Sequence, residues 1–334
     1  MQCNKMTFYF DTSHVCAMLR GYYLILCILL VPGCSVLLME DRYDSVRVFS
    51  SEAEVIGVPG AISFQSFKEI VAKRYISGHY VFQLGIYELV GELKVNGREL
   101  TIEAADGAIF TGSDHHKGGI VLGGEGITLN NLQFIDTSYC VKNSRNVITN
   151  NIEINRLTSK KTKDCIILNG RGNRQTNGWN ISGFSSSGYY RSAIRLFGTG
   201  VNSININSID IDGLSDESYC WKGGIQIYEG AHELVISNGM IRNNQGECGG
   251  EFQQGDGVEI DHKRGIPENI VLKNITFENN RDADVDVKGK GVLMENLRFY
   301  GGSNSRHAIK SWSRNYECVN CYATSNFQKV IETK

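Results

Sequence analysis

The chain has 334 residues, with Lys+Arg 34 against Asp+Glu 36, a net charge of −2, 41% hydrophobic residues, 37 Gly and 3 Pro. This suits one large domain or two small ones and excludes disorder, collagen, a coiled coil and a polytopic membrane protein. A near-neutral balance offers no basic field to a phosphate backbone, so nucleic acid is not an expected partner.

Residues 18–35, MLRGYYLILCILLVPGCS, join a basic start at Arg20 to an apolar run and a small-residue stop. This is the layout of a secretory signal peptide, and the run is too short to span a bilayer comfortably. Val31-Pro32-Gly33-Cys34 resembles the bacterial lipobox, in which the cysteine becomes the lipidated first residue, although Pro32 is atypical there. A lipoprotein anchored at Cys34, a soluble secreted form and an uncleaved anchor stay open, as does the start at Met1, Met6 or Met18. The expected division is a leader over 1–34 and one domain over 35–334, in the bacterial cell envelope or secreted. Membrane contact is then through the N-terminal lipid only. Export leaves Cys140, Cys165, Cys220, Cys248, Cys318 and Cys321 in an oxidising compartment.

Residues 62–74, ISFQSFKEIVAKR, predict one amphipathic helix with Ile62, Phe64, Phe67, Ile70 and Val71 on its apolar face. It would cap the first coil of the strand-rich region that begins near residue 78, and no comparable cap is predicted after Phe327. His115-His116, in the turn before the first repeat strand, suits a solvated loop.

From about residue 78 short β-branched runs alternate with Gly, Asn, Asp and Ser. One strand recurs as GGIVL, YCVKN, DCIIL, SAIRL, GGIQI, DGVEI, ADVDV and HAIKS. Its aliphatic position falls at Ile120, Val141, Ile166, Ile194, Ile225, Val258, Val285 and Ile309, with spacings of 21 to 33 residues. That period is one turn of a solenoid, and paired hairpin signals are sparse. A second strand bends at Asn131, Asn151, Asn238, Asn274, Asn296 and Asn320, interrupted by Gly183 and Ser208. Such Asn ladders resemble those of right-handed parallel β-helix proteins, and the predicted fold is an all-β, single-stranded right-handed parallel β-helix. Cys140 and Cys165 share one rung position on successive coils, within disulfide reach. Cys220 and Cys248 flank a longer turn and are a second candidate pair, whereas Cys318 and Cys321 are expected as buried packing thiols.

Strand alternation makes the repeat a surface map. One outward column is Lys142, Ile167, Arg195, Gln226, Glu259, Asp286 and Lys310; the next is Ser144, Asn169, Phe197, Tyr228, Asp261, Lys288 and Trp312. A strip of cations, carboxylates and aromatics suits an acidic polysaccharide, with Arg195 and Lys310 holding acidic groups and Tyr228 and Trp312 stacking on rings. Glu259, Asp261, Asp284 and Asp286 crowd two neighbouring rungs, a repulsion that a cation relieves. Calcium at Glu259, Asp261 and Asp286 is the expectation.

The stretches GRELTIEAADGAIFTG and GGIVLGGEGITLNNLQFID resemble the opening coils of the polysaccharide lyase family that includes chondroitinase B and alginate lyases. GVEIDHKRGIPENIVLKNITFENN is similar to that family's active-site coil. The resemblance implies Glu259 as a calcium ligand, Lys263 or Arg264 as the basic residue, and Lys288 near the place of an assisting Arg. Gly257 stands where a second acidic ligand belongs, and Lys288 is not Arg. A rival resemblance, to polygalacturonase-type hydrolases, rests on Asp256-Gly257 and Asp282-Ala283-Asp284, with Arg306-His307-Ala308 in place of the family's Gly-His-Gly. The leading expectation is a lyase or epimerase that abstracts a C5 proton through Lys263 or Lys288. A hydrolase using Asp256, Glu259, Asp282 or Asp284, and a non-catalytic binding protein, are the alternatives. His262 and His307 are read as structural.

Overall fold

A computed structural model of the chain describes residues 46–50, 62–73, 75–112, 117–172, 174–214, 219–248, 253–313 and 315–333. The leader with Cys34, the three candidate starts and His115-His116 lie outside the described residues. Among the described residues no helix is long and apolar enough to cross a membrane.

The β-branched runs wind into a parallel β-solenoid of about ten turns, each strand pairing with the equivalent strand one turn on. Every predicted aliphatic position is in register: Ile120 faces Val141, then Ile166, Ile194, Ile225, Val258, Val285 and Ile309 follow in one column. All are buried, because alternation turns each of them inward onto the stack. Neighbouring rungs lie about 4.8 Å apart, so like side chains touch along the axis.

The helix is Phe64–Lys73, shorter than expected, since Ile62–Ser63 instead extends a strand that pairs with Phe49 and Ser50. Phe64 and Phe67 pack edge-on against Phe82, with centroids 6.0 and 5.4 Å away, and Phe82, Phe110 and Phe134 continue the aromatic plug. At the other end the last strand, Lys329–Thr333, leaves Val330 and Ile331 exposed.

The Asn ladder differs at one rung. Asn130 pairs with Asn155 and Leu132 with Leu157, which sets Arg156, at φ 56°, beside Asn131. Asn151, at φ 54°, belongs to another left-handed corner with Gly178 and Ser203. Both corners accept Asn for the same backbone reason, so the residue type alone does not separate them.

The structure joins Cys140 to Cys165, with Cα atoms 4.6 Å apart, and Cys220 to Cys248 at 4.3 Å. It also joins Cys318 to Cys321, which were expected as packing thiols. Cys318 does lie in register with Met294, but the left-handed residue Asn320 turns the chain between the two cysteines and brings them together.

Candidate active site

The outward columns stand as predicted. Lys142, Ile167, Arg195, Gln226, Glu259, Asp286 and Lys310 are successive partners, and Asn169, Phe197, Tyr228 and Asp261 run beside them. Lys288 and Trp312 continue that second column through backbone bonds to Ile260 and Val287.

Glu259, though outward, is only 8% exposed, because Gln226, Tyr228 and Lys288 close around it. The Tyr228 hydroxyl donates to Glu259 Oε2 at 2.5 Å and Gln226 Nε2 donates to the same oxygen at 3.2 Å. Burial pushes the Glu259 carboxyl up, the Tyr228 bond and Lys288 oppose this, and Asp286 and Asp261 add to it. Asp286, one rung on, is pushed up by burial against the pull of Lys288 and Lys310. These two facing carboxyls behave as a pair of like charges that favours holding a proton. Asp256 goes well above its usual range for the same reasons, burial first and then Asp282, Asp286 and Glu259.

Two lysines neutralise the cluster. Lys288 Nζ lies 3.2 Å from Asp286 and 3.8 Å from Asp261, and Lys310 donates to Asp282 Oδ2 at 2.6 Å. Burial lowers each lysine, but the carboxylates outweigh it and hold both above the ordinary value. Their ammonium groups lie 5.7 and 5.9 Å from the centre of the exposed Trp312 ring. Lys263 and Arg264 are exposed in the turn after Asp261, Arg264 at φ 65°. The Arg195 guanidinium lies 5.5 Å from the Phe197 ring, which Arg171 also covers at 4.7 Å while pairing with Glu229.

The carboxylates expected to hold calcium are thus already bonded to Tyr228, Gln226 and Lys288. Among the described residues no three His, Cys, Asp or Glu gather in a metal-binding arrangement. The donor set does not fit a calcium cage as it stands. A carboxylate at Gly257 has no room: a Cβ there would lie 2.5 Å from Asp284 O and 2.7 Å from Phe277 Cδ1. Asp284 occupies the equivalent inward position one rung later and is fully buried. Asn280 donates to its Oδ1 at 2.8 Å and its Oδ2 has no partner, so burial drives this carboxyl well up.

His262 is exposed, 3.8 Å from Asp261. His307 is buried and 3.4 Å from Glu332, with Nδ1 unpartnered, and burial lowers its basicity. Lys222 was missed by sequence reasoning. It is buried over the Tyr189 ring, 5.3 Å from the centroid, and burial brings it down to about 8. Its only signal in the sequence was a lysine beside the glycine pair that opens a core strand.

No protein-family model and no curated protein matches the chain. Solved structures that resemble it include the PL6 family alginate lyase AlyGC, 12% identical with a TM-score of 0.45, over 86% of this chain and 40% of that one. Pectate lyase Pel9A is 12% identical with a TM-score of 0.47, over 84% of this chain and 78% of that one. The A-module of the Azotobacter vinelandii mannuronan C-5 epimerase AlgE4 is 11% identical with a TM-score of 0.33, over 77% and 91%. This chain spans less than half the length of the alginate lyase. These likenesses concern the fold and carry no argument about chemistry.

Proposed function

We propose that the chain is a carbohydrate-active enzyme that cleaves an acidic polysaccharide lying across the outward columns, with Glu259 and Asp286 as the reacting pair. The observation that supports this reading is their placement: two facing carboxyls on successive rungs, both pushed up by burial. One proton shared by such a pair supplies an acid and an ionised partner together. Lys288, bonded to Asp286, keeps that partner ionised and leaves the proton on Glu259. Glu259 protonates the glycosidic oxygen as the bond breaks, and Asp286 attacks the anomeric carbon to form an ester. Glu259 then takes a proton from the water that hydrolyses it. An acidic group of the substrate is met by Lys310, while Trp312 beside it supplies a stacking face. Retention of the anomeric configuration needs the two carboxyl groups roughly 5–5.5 Å apart, which successive rungs about 4.8 Å apart permit.

Proton abstraction by lysine is the second reading, supported by the cations along the strip. It requires a lysine with lowered basicity, and Lys288 and Lys310, the two lysines bonded to the carboxylates, are both raised, which counts against either as its base. The test is digestion of uronate polymers followed by reducing-end and ultraviolet absorbance assays. New reducing ends without absorbance support the carboxylate pair. Absorbance from a new double bond replaces it with the lyase reading, and binding with neither product and no inversion at C5 replaces both with a non-catalytic role.

A further inference from the structure

A second face carries a feature that the reacting cluster does not use. An open groove of about 670 Å³ follows the last part of the Asn ladder, floored by Asn274, Asn296 and Asn320. Asn296 Nδ2 donates to Asn274 Oδ1 at 3.0 Å and Asn320 Nδ2 to Asn296 Oδ1 at 3.3 Å. A carboxamide has two N–H donors and two lone pairs, so each ladder amide keeps one of each for a ligand, repeated every 4.8 Å or so along the groove. Beside the amides runs a column of Thr276, Arg298 and Tyr322, in register on three successive rungs.

Arg298 and Tyr322 are both exposed. Arg298 forms no ion pair among the described residues, although Glu295 on its own turn pairs with Lys273 at 3.0 Å. An unneutralised guanidinium fork, an open tyrosine ring and spare amide groups in a row are complementary to a sugar chain. The fork takes a carboxylate or sulfate in two hydrogen bonds, the ring takes a pyranose face, and the amides take hydroxyls.

We propose that this groove is a second binding site for an anionic oligosaccharide, held by Arg298, Tyr322 and the amides of Asn296 and Asn320. It lies on a different face from Glu259 and Asp286, so it holds a chain without cleaving it. The choice of an acidic sugar follows from Arg298, and only its being the same polymer that the first face takes rests on the reading of that face. A polymer long enough to reach both faces is kept close to the reacting pair between cleavages, because the second contact is intramolecular.

The experiment is calorimetric titration of the full chain, carrying Glu259→Gln to prevent cleavage, with an oligogalacturonate and with an uncharged glucan of equal length. Two binding events are expected with the uronate, one removed by Trp312→Ala and the other weakened about tenfold by Arg298→Ala or Tyr322→Ala. Thermal unfolding is followed in each variant, and Arg298→Gln replaces any that is destabilised. The proposal is overturned if Arg298 and Tyr322 variants bind both sites as tightly as the parent, or if the glucan binds the second site equally well. It is also overturned if those changes alter sedimentation and not sugar binding, which makes the groove a contact between protein chains. Loss of the Trp312-dependent event alone overturns the first-face site and leaves this one standing.

Discussion

The same outward column carries charge at both ends, with opposite consequences. On the early rungs Lys142 pairs with Glu92, whose side chain is 43% exposed, and lies 4.2 Å from the centre of the Tyr139 ring. On the late rungs Lys310 pairs with Asp282, whose side chain is 1% exposed. Water screens the first pair and leaves it worth about 0–1 kcal/mol. The second pair is held in place of water, and its neighbours respond by moving their proton affinities. Burial therefore separates a site from a decorated surface, where formal charge does not.

The sharpest break of that comparison is in catalysis. Glu259→Gln keeps the shape and the Tyr228 contact but removes the proton, and turnover is expected to fall by about 10²–10⁴. Glu92→Gln, on the early rungs, should leave it unchanged. Equal rates in both variants would remove Glu259 from the reaction.

Stability separates the two lysines next. Lys310→Ala leaves the buried Asp282 carboxylate with only Arg306, 3.6 Å away, and should cost up to about 3–5 kcal/mol in urea unfolding. Lys142→Ala should cost less than about 1 kcal/mol. Comparable losses would mean that the late pair is as solvated as the early one.

A third test uses pH. Burial holds the Asp284 carboxyl well above the value near 4 at which the unfolded chain ionises it. A raised carboxyl contributes stability that is present below the unfolded value and is lost as pH rises toward the folded one. Asp284→Asn removes that loss, so the difference between variant and parent should grow as pH rises above about 4, by up to about 1.4 kcal/mol per unit. A difference that is constant with pH would show Asp284 to be ionised.

The inward aliphatics of the repeat were legible because periodic burial leaves a periodic sequence, and so both outward columns were placed correctly. Enclosure was not legible, since it depends on what closes over a residue: Gln226 and Tyr228 over Glu259, the Phe277 core beside Gly257. Alternation also fails before the aliphatic, where Asp284 shares an inward position with Cys140 and Cys165 and not an outward one with Asp286. For Lys288 the sequence supplied a base, and the surrounding carboxylates make it a fixed cation.

The smallest effect concerns the ladder rung where the sequence misplaced an asparagine. Arg156 occupies a left-handed corner that costs most side chains about 1–2 kcal/mol and Asn less. Arg156→Asn also sets an amide beside Asn131, as Asn274 is set beside Asn238, where the amide bond is 2.9 Å. The gain should be between a few tenths and about 1 kcal/mol, read as a higher thermal midpoint. Asn296→Arg reverses the change on a rung where amide bonds run to both neighbours, and it should lower the midpoint by more than Arg156→Asn raises it. If the two shifts are equal and opposite, backbone preference explains the ladder and its hydrogen bonds contribute nothing net. An excess loss at Asn296 measures those bonds, and with them how firmly the floor of the second groove is held.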